Sequence, residues 1–394
     1  MTEAERNALT RMRGSADAWP ETAYERATDP EGYAYDRNAV RRAQVLWALQ
    51  YDRRPEDLEL VRWLAGQEAV CRREAPFQGL GEEATLAGLL LAEFRRVEDV
   101  WLHWEIKRAN FDTWCGYDLQ ALCAAGVAAT LDHVRAGGHP KRDDLLARLL
   151  REDGEPWLSE EEVARWFEHA RSSFPADPAE EDTFTLVERA RLTGDTARAR
   201  ALLDTWAAGQ GDPGEPYDAA TLGELRYWLA ELGDFAGAAR AEREALALAP
   251  SAGDRTSGLL RLARLERQAG DHPASWVALT DYRLGQTAAA LSTEHLPDRE
   301  YVEELFRLAE VAEPGIAGAA FAEADRQVAA LPSVYLALLR SAVAAATNIG
   351  DRDRAAHYAA LAKLEEQRVR VHDDSPDEEQ DVDGDEGEGA GERD

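Results

Sequence analysis

The side chains best able to do chemistry crowd into one stretch, WLHWEIKRANFDTWCGYD, from Trp101 to Asp118. At helical spacing Trp101, Trp104 and Arg108 share one face, His103 and Lys107 share another, and Phe111, Trp114 and Tyr117 fall on the turn that follows. His103, Glu105 and Asp112 are the residue types of general acid–base catalysis, and the aromatic rings could wall a pocket around them. Their spacing does not make them converge. An aromatic knot joining two helix pairs is therefore the first expectation, a ligand or peptide pocket the second and a catalytic site the last. The other histidines show neither H-x3-H nor H-E-x2-H spacing, so no metal site is expected from neighbouring ligands. Cys71, Cys115 and Cys123 have no C-x-x-C spacing and read as thiols in a reducing compartment. Gly79-Leu80-Gly81 imitates a dinucleotide fingerprint, but no strand precedes it. No P-loop or G-x-S-x-G elbow occurs, and neither a cofactor nor catalytic residues are expected.

These residues must be carried by helices. Ala, Leu, Arg and Glu dominate, β-branched runs are scarce and no period-2 segment appears, which predicts an all-α chain. Helices are expected over 37–50, 55–73, 82–95, 97–110, 117–135 and 141–151, with Ser159–Glu162 as a capping box opening another. Residues 1–35 are expected as a short helix or loose arm, 36–175 as a region of helix pairs, and 172–181, with Pro175 and Pro178, as an internal boundary. Beyond it Gly-Asp recurs at Gly194, Gly233, Gly270 and Gly350, spaced by 39, 37 and 80 residues, with Glu313-Pro314-Gly315 as a degenerate break inside the last interval. In LGELRYWLAELGDFAGAARAEREALALAP, Leu222, Leu225 and Leu229 recur at helical spacing before the break, and Ala238, Ala245 and Leu246 after it. Gly233 can end the first helix in the left-handed region and Asp234 can cap the second.

This stretch resembles the tetratricopeptide repeat, with Leu222, Leu225, Leu229, Ala238 and Pro250 in the places of the family's Trp, Leu, Tyr, Ala and Pro. Arg226 replaces its glycine and Glu242 its phenylalanine. The resemblance implies a right-handed α-solenoid of antiparallel helix pairs, with about five units over 181–368; upstream it extends only by continuity of helix pairs. It implies that first helices line a concave groove for a protein or peptide partner. Carried over unit by unit, the groove residues are Phe184, Glu188 and Arg191, then Tyr227 and Glu231, then Arg264 and Arg267, and in the fifth unit Arg340 and Asn348. The arginines and Asn348 partly match the family's clamp for an acidic or carboxylate-ended peptide. The aromatic residues Trp101, His103, Trp104, Arg108, Phe111, Trp114 and Tyr117 are a secondary candidate pocket.

Charge narrows the partners. Lys and Arg number 45 against 76 Asp and Glu, a net −31, and residues 373–394 alone hold twelve acids and one arginine. Such a field repels nucleic acid and anionic membranes and favours basic proteins at the exterior. The tail has charge and glycine but little to bury, and is expected to be disordered. The N-terminus lacks a signal-peptide core and no run is long enough to span a bilayer, so a cytoplasmic location is expected. The expected roles are an interaction scaffold first, a ligand- or peptide-responsive helical-repeat regulator with the N-terminal half as its effector region second, and an enzyme using the Trp101–Tyr117 pocket last.

Overall fold

A computed structural model describes residues 1–29, 33–210, 216–290 and 298–373, so the expectation for the acidic tail lies outside the described residues. These residues are mainly helical, with one short hairpin of β1 (Arg26–Thr28) and β2 (Ala34–Asp36), paired antiparallel with Ala27 opposite Tyr35, and an isolated bridge between Leu150 and Pro156. The chain forms two compact units that divide at Leu202/Leu203, beyond the proline-bearing segment.

Unit 1 contains α1 (Glu3–Gly14), α2 (Ala39–Tyr51), α3 (Leu58–Glu74), α4 (Glu82–Ala92), α5 (Val100–Lys107), α6 (Phe111–Gly116), α7 (Leu119–Leu122), α8 (Val127–Ala136), α9 (Arg142–Leu149), α10 (Glu160–Ser173) and α11 (Thr183–Leu192). The expected arm is packed: Thr2 and Glu5 form a reciprocal cap on α1, which buries Leu9 and Met12. The core is organised around α4. Its run of Leu86 to Ala92 is buried throughout, and a helix apolar on every side belongs inside. Helices α2, α3 and α7 all touch it. The segment 172–181 is tied back to α2, because Gln50 donates to the Pro175 carbonyl (2.9 Å) and to Glu181 (2.7 Å).

The single helix expected over 117–135 is corrected to two. Gly126, at φ +113°, stops the chain between α7 and α8, and the Glu160 carboxylate caps the new start by accepting from the Val127 N–H at 2.7 Å. Likewise the helix expected over 97–110 ends at Lys107; Asn110 caps α6, with its side chain accepting from Thr113 N.

Helix α12 (Thr196–Ala208) crosses the division. Unit 2 then holds α13 (Ala219–Glu231), α14 (Phe235–Ala247), α15 (Ala252–Gln268), α16 (His272–Ala290), α17 (Arg299–Val311), α18 (Pro314–Val328), α19 (Leu336–Asn348) and α20 (Arg352–Asp373). Consecutive members pack as α13 on α14, α15 on α16, α17 on α18 and α19 on α20.

The four Gly-Asp turns share one geometry. Gly194, Gly233, Gly270 and Gly350 have φ of +76° to +80°. The following aspartate N–H donates to the carbonyl five residues back, at 2.8–2.9 Å, closing the helix. Its carboxylate accepts from the N–H three residues on, at 2.8–3.1 Å, opening the next. Ala199, Ala238 and Ala317 are fully buried, Ala355 is half-buried, and Ser275, also fully buried, donates its hydroxyl to the Ala263 carbonyl at 2.8 Å. At Glu313-Pro314-Gly315, α17 ends and α18 begins with Pro314 in its first turn.

Candidate functional site

In unit 2 Tyr227 is 51 % exposed, braced edge-on by the buried Trp228 at 5.1 Å, and Glu231 is exposed beside it in sequence. Arg264 and Arg340 keep 43 % and 66 % of their side chains exposed. Arg264 leans towards Glu300 and Glu304 at 3.7 Å, and Arg340 pairs with Glu366 at 3.0 Å. Arg267 differs: it is 15 % exposed and grips Glu304, itself 1 % exposed, at 2.5 and 3.3 Å. A carboxylate that buried needs its partner, so Arg267 is committed inside the fold. Asn348 likewise donates to the Ala309 (2.9 Å) and Ala312 (3.3 Å) carbonyls, tying α19 to the end of α17. In unit 1 Phe184 is half-buried and Glu188 pairs with Arg191 at 2.6 Å, three residues apart on α11.

Sequence reasoning missed a set of buried glutamates in unit 2. Glu242, on α14, is 2 % exposed and sits between Arg226 of α13 (2.9 Å) and Arg261 of α15 (3.2 Å). Glu266 pairs with Arg243, and Glu323 with Arg283 at 3.3 Å and with Arg326. Burial pushes the Glu266 carboxyl up, with Arg243 opposing. The available signal was a glutamate at a position that helical spacing assigns to a packed face.

The aromatic stretch of unit 1 separates into a buried half and an exposed half. His103, Trp104 and Tyr117 are buried; His103 Nδ1 lies 2.7 Å from the Tyr117 hydroxyl, and Lys107 donates to the Tyr117 carbonyl at 2.6 Å. Burial lowers the His103 pKa to about 3 and pushes the Tyr117 phenol up, so the ring pair stays neutral at pH 7. Trp101 stacks on His139 at 3.8 Å, and Arg108 lies 6.0 Å from the Trp104 ring. Phe111 and Trp114 remain 79 % and 41 % exposed. His103, Glu105 and Asp112 do not meet: Glu105 is half-exposed beside Arg73, and Asp112 lies by Gly79.

Two clefts flank α10. One, of about 420 Å³, is walled by Leu80, Leu89, Trp166 and Phe174, with Glu82 and His169 also lining it. Trp166 donates to Asp118 at 2.9 Å, and burial pushes the Glu82 carboxyl up while Arg189, at 3.3 Å, pulls it down. The other is lined by Arg53, Glu93, Arg95, Phe167, Glu168 and Arg171. Neither was legible locally, since each assembles residues from distant helices.

Among the described residues no group of three His, Cys, Asp or Glu side chains could hold a metal, and no helix is long and apolar enough to cross a membrane. Compared with known proteins, the chain matches no family model, no curated protein and no solved structure.

Proposed function

We propose that this chain is a cytoplasmic interaction scaffold whose Gly-Asp helix pairs form a tetratricopeptide-like, right-handed array presenting a groove to a protein or peptide. The observation that supports this most is the recurrence of one turn geometry, a left-handed glycine followed by a capping aspartate, at Gly194, Gly233, Gly270 and Gly350. Repetition of a closing and opening device is what a chain of stacked helical units requires. The groove contacts in unit 2 are Tyr227, Arg264 and Arg340, whose side chains are exposed, rather than Arg267 or Asn348, whose donors serve the fold.

The test is fluorescence anisotropy with a panel of acidic peptides carrying a free C-terminal carboxylate, each paired with its amidated twin. Charge-assisted hydrogen bonds contribute roughly 1.5–3 kcal/mol each, so Arg264→Gln with Arg340→Gln, which removes both charges without setting a new carboxylate beside the buried Glu304, should weaken capture by two orders of magnitude or more while circular dichroism stays unchanged. Amidation and added salt should weaken it too. Equal binding by the double variant would move the site elsewhere.

The clefts beside α10 favour a second reading, a regulator in which unit 1 responds to a small ligand. Ligand-dependent protease protection confined to unit 1 would select it.

A further inference from the structure

One cleft of unit 1 gathers positive charge in a molecule that is otherwise strongly acidic. Arg53 lies just past α2, Arg95 just past α4 and Arg171 on α10, and all three arginines line one open cleft of about 420 Å³. Glu93 pairs with both Arg53 and Arg171. One carboxylate, 13 % exposed, thus serves two guanidinium side chains that are each 26 % exposed. Burial lowers the pKa of both arginines, and the charge of Arg171 lowers that of Arg53 further. With Arg95 the cleft holds three guanidiniums against the two carboxylates Glu93 and Glu168, a surplus of one positive charge that removal from water makes costly.

Arg95 supplies the third guanidinium and a separate line of argument. It is the one non-glycine residue with positive φ, +53°, among the described residues. The turns that follow α11, α13, α15 and α19 place a glycine in this region, where an L side chain is strained. After α4 the chain places an arginine there instead. The Arg95 guanidinium lies over the Phe167 ring, 3.8 Å from its centroid, and donates through Nη1 to the Ala124 carbonyl at 2.9 Å. Arg171 is braced as well, donating to the Phe174 carbonyl at 3.2 Å. The donors are thus held in place before any ligand arrives, which limits the ordering cost of binding.

We infer that the Arg53–Arg95–Arg171 cleft is a receptor for a phosphoryl group. Planar guanidinium forks match the oxygens of a phosphate in fixed directions, which a point-charge ammonium does not. Three guanidiniums beside Glu93 and the rim residue Glu168 leave one positive charge uncompensated, which an anion neutralises, and the several acceptor oxygens of a phosphoryl group can meet guanidiniums that enter from three different elements. The acidic surface elsewhere, part of a net charge of −31, disfavours loose anion adsorption, so occupancy must come from the cleft itself.

The test uses the full chain in a phosphate-free buffer at fixed ionic strength, titrated with inorganic phosphate and followed by calorimetry and thermal melting. Saturable binding with a rise in Tm is expected. Arg95→Gly removes the guanidinium while supplying the residue that this backbone conformation favours, so it should keep the helical spectrum and bind phosphate at least tenfold more weakly. Glu168→Gln, at the exposed rim, should bind it at least threefold more tightly, an effect that a purely structural strap does not produce. Phosphoserine and a phosphoserine peptide separate the sources: equal affinity points to a small phosphorylated metabolite, and a tenfold gain for the peptide points to a phosphorylated partner. Absence of saturable phosphate binding, or an Arg95→Gly protein that binds as well as the parent, overturns the proposal.

Discussion

Two glycines of unit 2 with the same helical backbone should respond to alanine with opposite signs. A Cβ at Gly258 of α15 would stand 2.5 Å from Leu246 Cδ2 and 2.9 Å from the buried Glu242 carboxylate, whereas one at Gly223 of α13 meets nothing within 4 Å. Replacing an exposed helical glycine by alanine gains up to about 1 kcal/mol, and overpacking a tight contact costs about 1–3 kcal/mol. Gly223→Ala should therefore raise the denaturant midpoint and Gly258→Ala should lower it; a gain at both positions would mean that α14 and α15 are not in close contact there. His103 sets a second expectation. Its pKa is lowered from 6.5 to about 3 in the fold, so below pH 6.5 the unfolded chain takes up a proton that the folded chain refuses. Stability from this group is full above pH 6.5 and falls towards pH 3, at up to about 1.4 kcal/mol per pH unit. Carboxyls raised by burial, such as Glu82 and Glu266, act oppositely, penalising the fold as pH rises from 4.5 towards their raised values. His103→Gln, which cannot titrate, should flatten the acid limb in urea titrations between pH 6.5 and 4.5. An unchanged slope would place the acid sensitivity in other groups.

At the scale of elements, the device worth testing is the cap that one helix lends another. Glu160 opens α10 yet its carboxylate accepts from Val127 N–H, the first residue of α8, directly after the break at Gly126. Removing a capping acceptor costs about 0.5–2 kcal/mol, so Glu160→Ala should accelerate amide exchange at Val127 and Ala128 while leaving the Gly-Asp turns of unit 2 unaffected. Protection unchanged at Val127 would show that the cap contributes nothing. This contact also illustrates what a sequence can and cannot tell. The Gly-Asp turns were legible because glycine's left-handed freedom and aspartate's capping act within five residues. So was the Ser159–Glu162 capping box, observed with both of its hydrogen bonds. The break inside 117–135 was not, since Gly126 lies in a segment rich in helix formers and the carboxylate that caps the new start is 33 residues on. The buried glutamates were invisible for the same reason: Glu242 looked like a defect in a pattern until Arg226 and Arg261 closed on it from neighbouring helices. The arginine cleft draws on positions 53, 95 and 171, which no local window contains.

For the whole molecule the governing quantity is a net charge of −31. Two electrostatic effects of opposite salt dependence meet in it. The ion pairs of Glu68, Glu242, Glu304 and Glu323 join carboxylates no more than 5 % exposed to arginines in direct contact, distances too short for salt to screen strongly. The surplus of surface acids instead repels over longer distances, and compaction brings those charges together. The screening length shrinks from about 30 Å at 0.01 M salt to about 8 Å at 0.15 M, so added salt should remove much of the repulsion while sparing the buried pairs. The fold should therefore gain stability as sodium chloride rises from about 10 to about 150 mM, with the Tm of a unit of about 200 residues climbing about 2–4 °C for each kcal/mol recovered. Binding of an anionic peptide at Arg264 and Arg340 should weaken over the same range, because those side chains are exposed and screened. A Tm that falls as salt is added would reverse the ranking, making exposed ion pairs, and not the repulsion among surface acids, the larger electrostatic contribution to this fold.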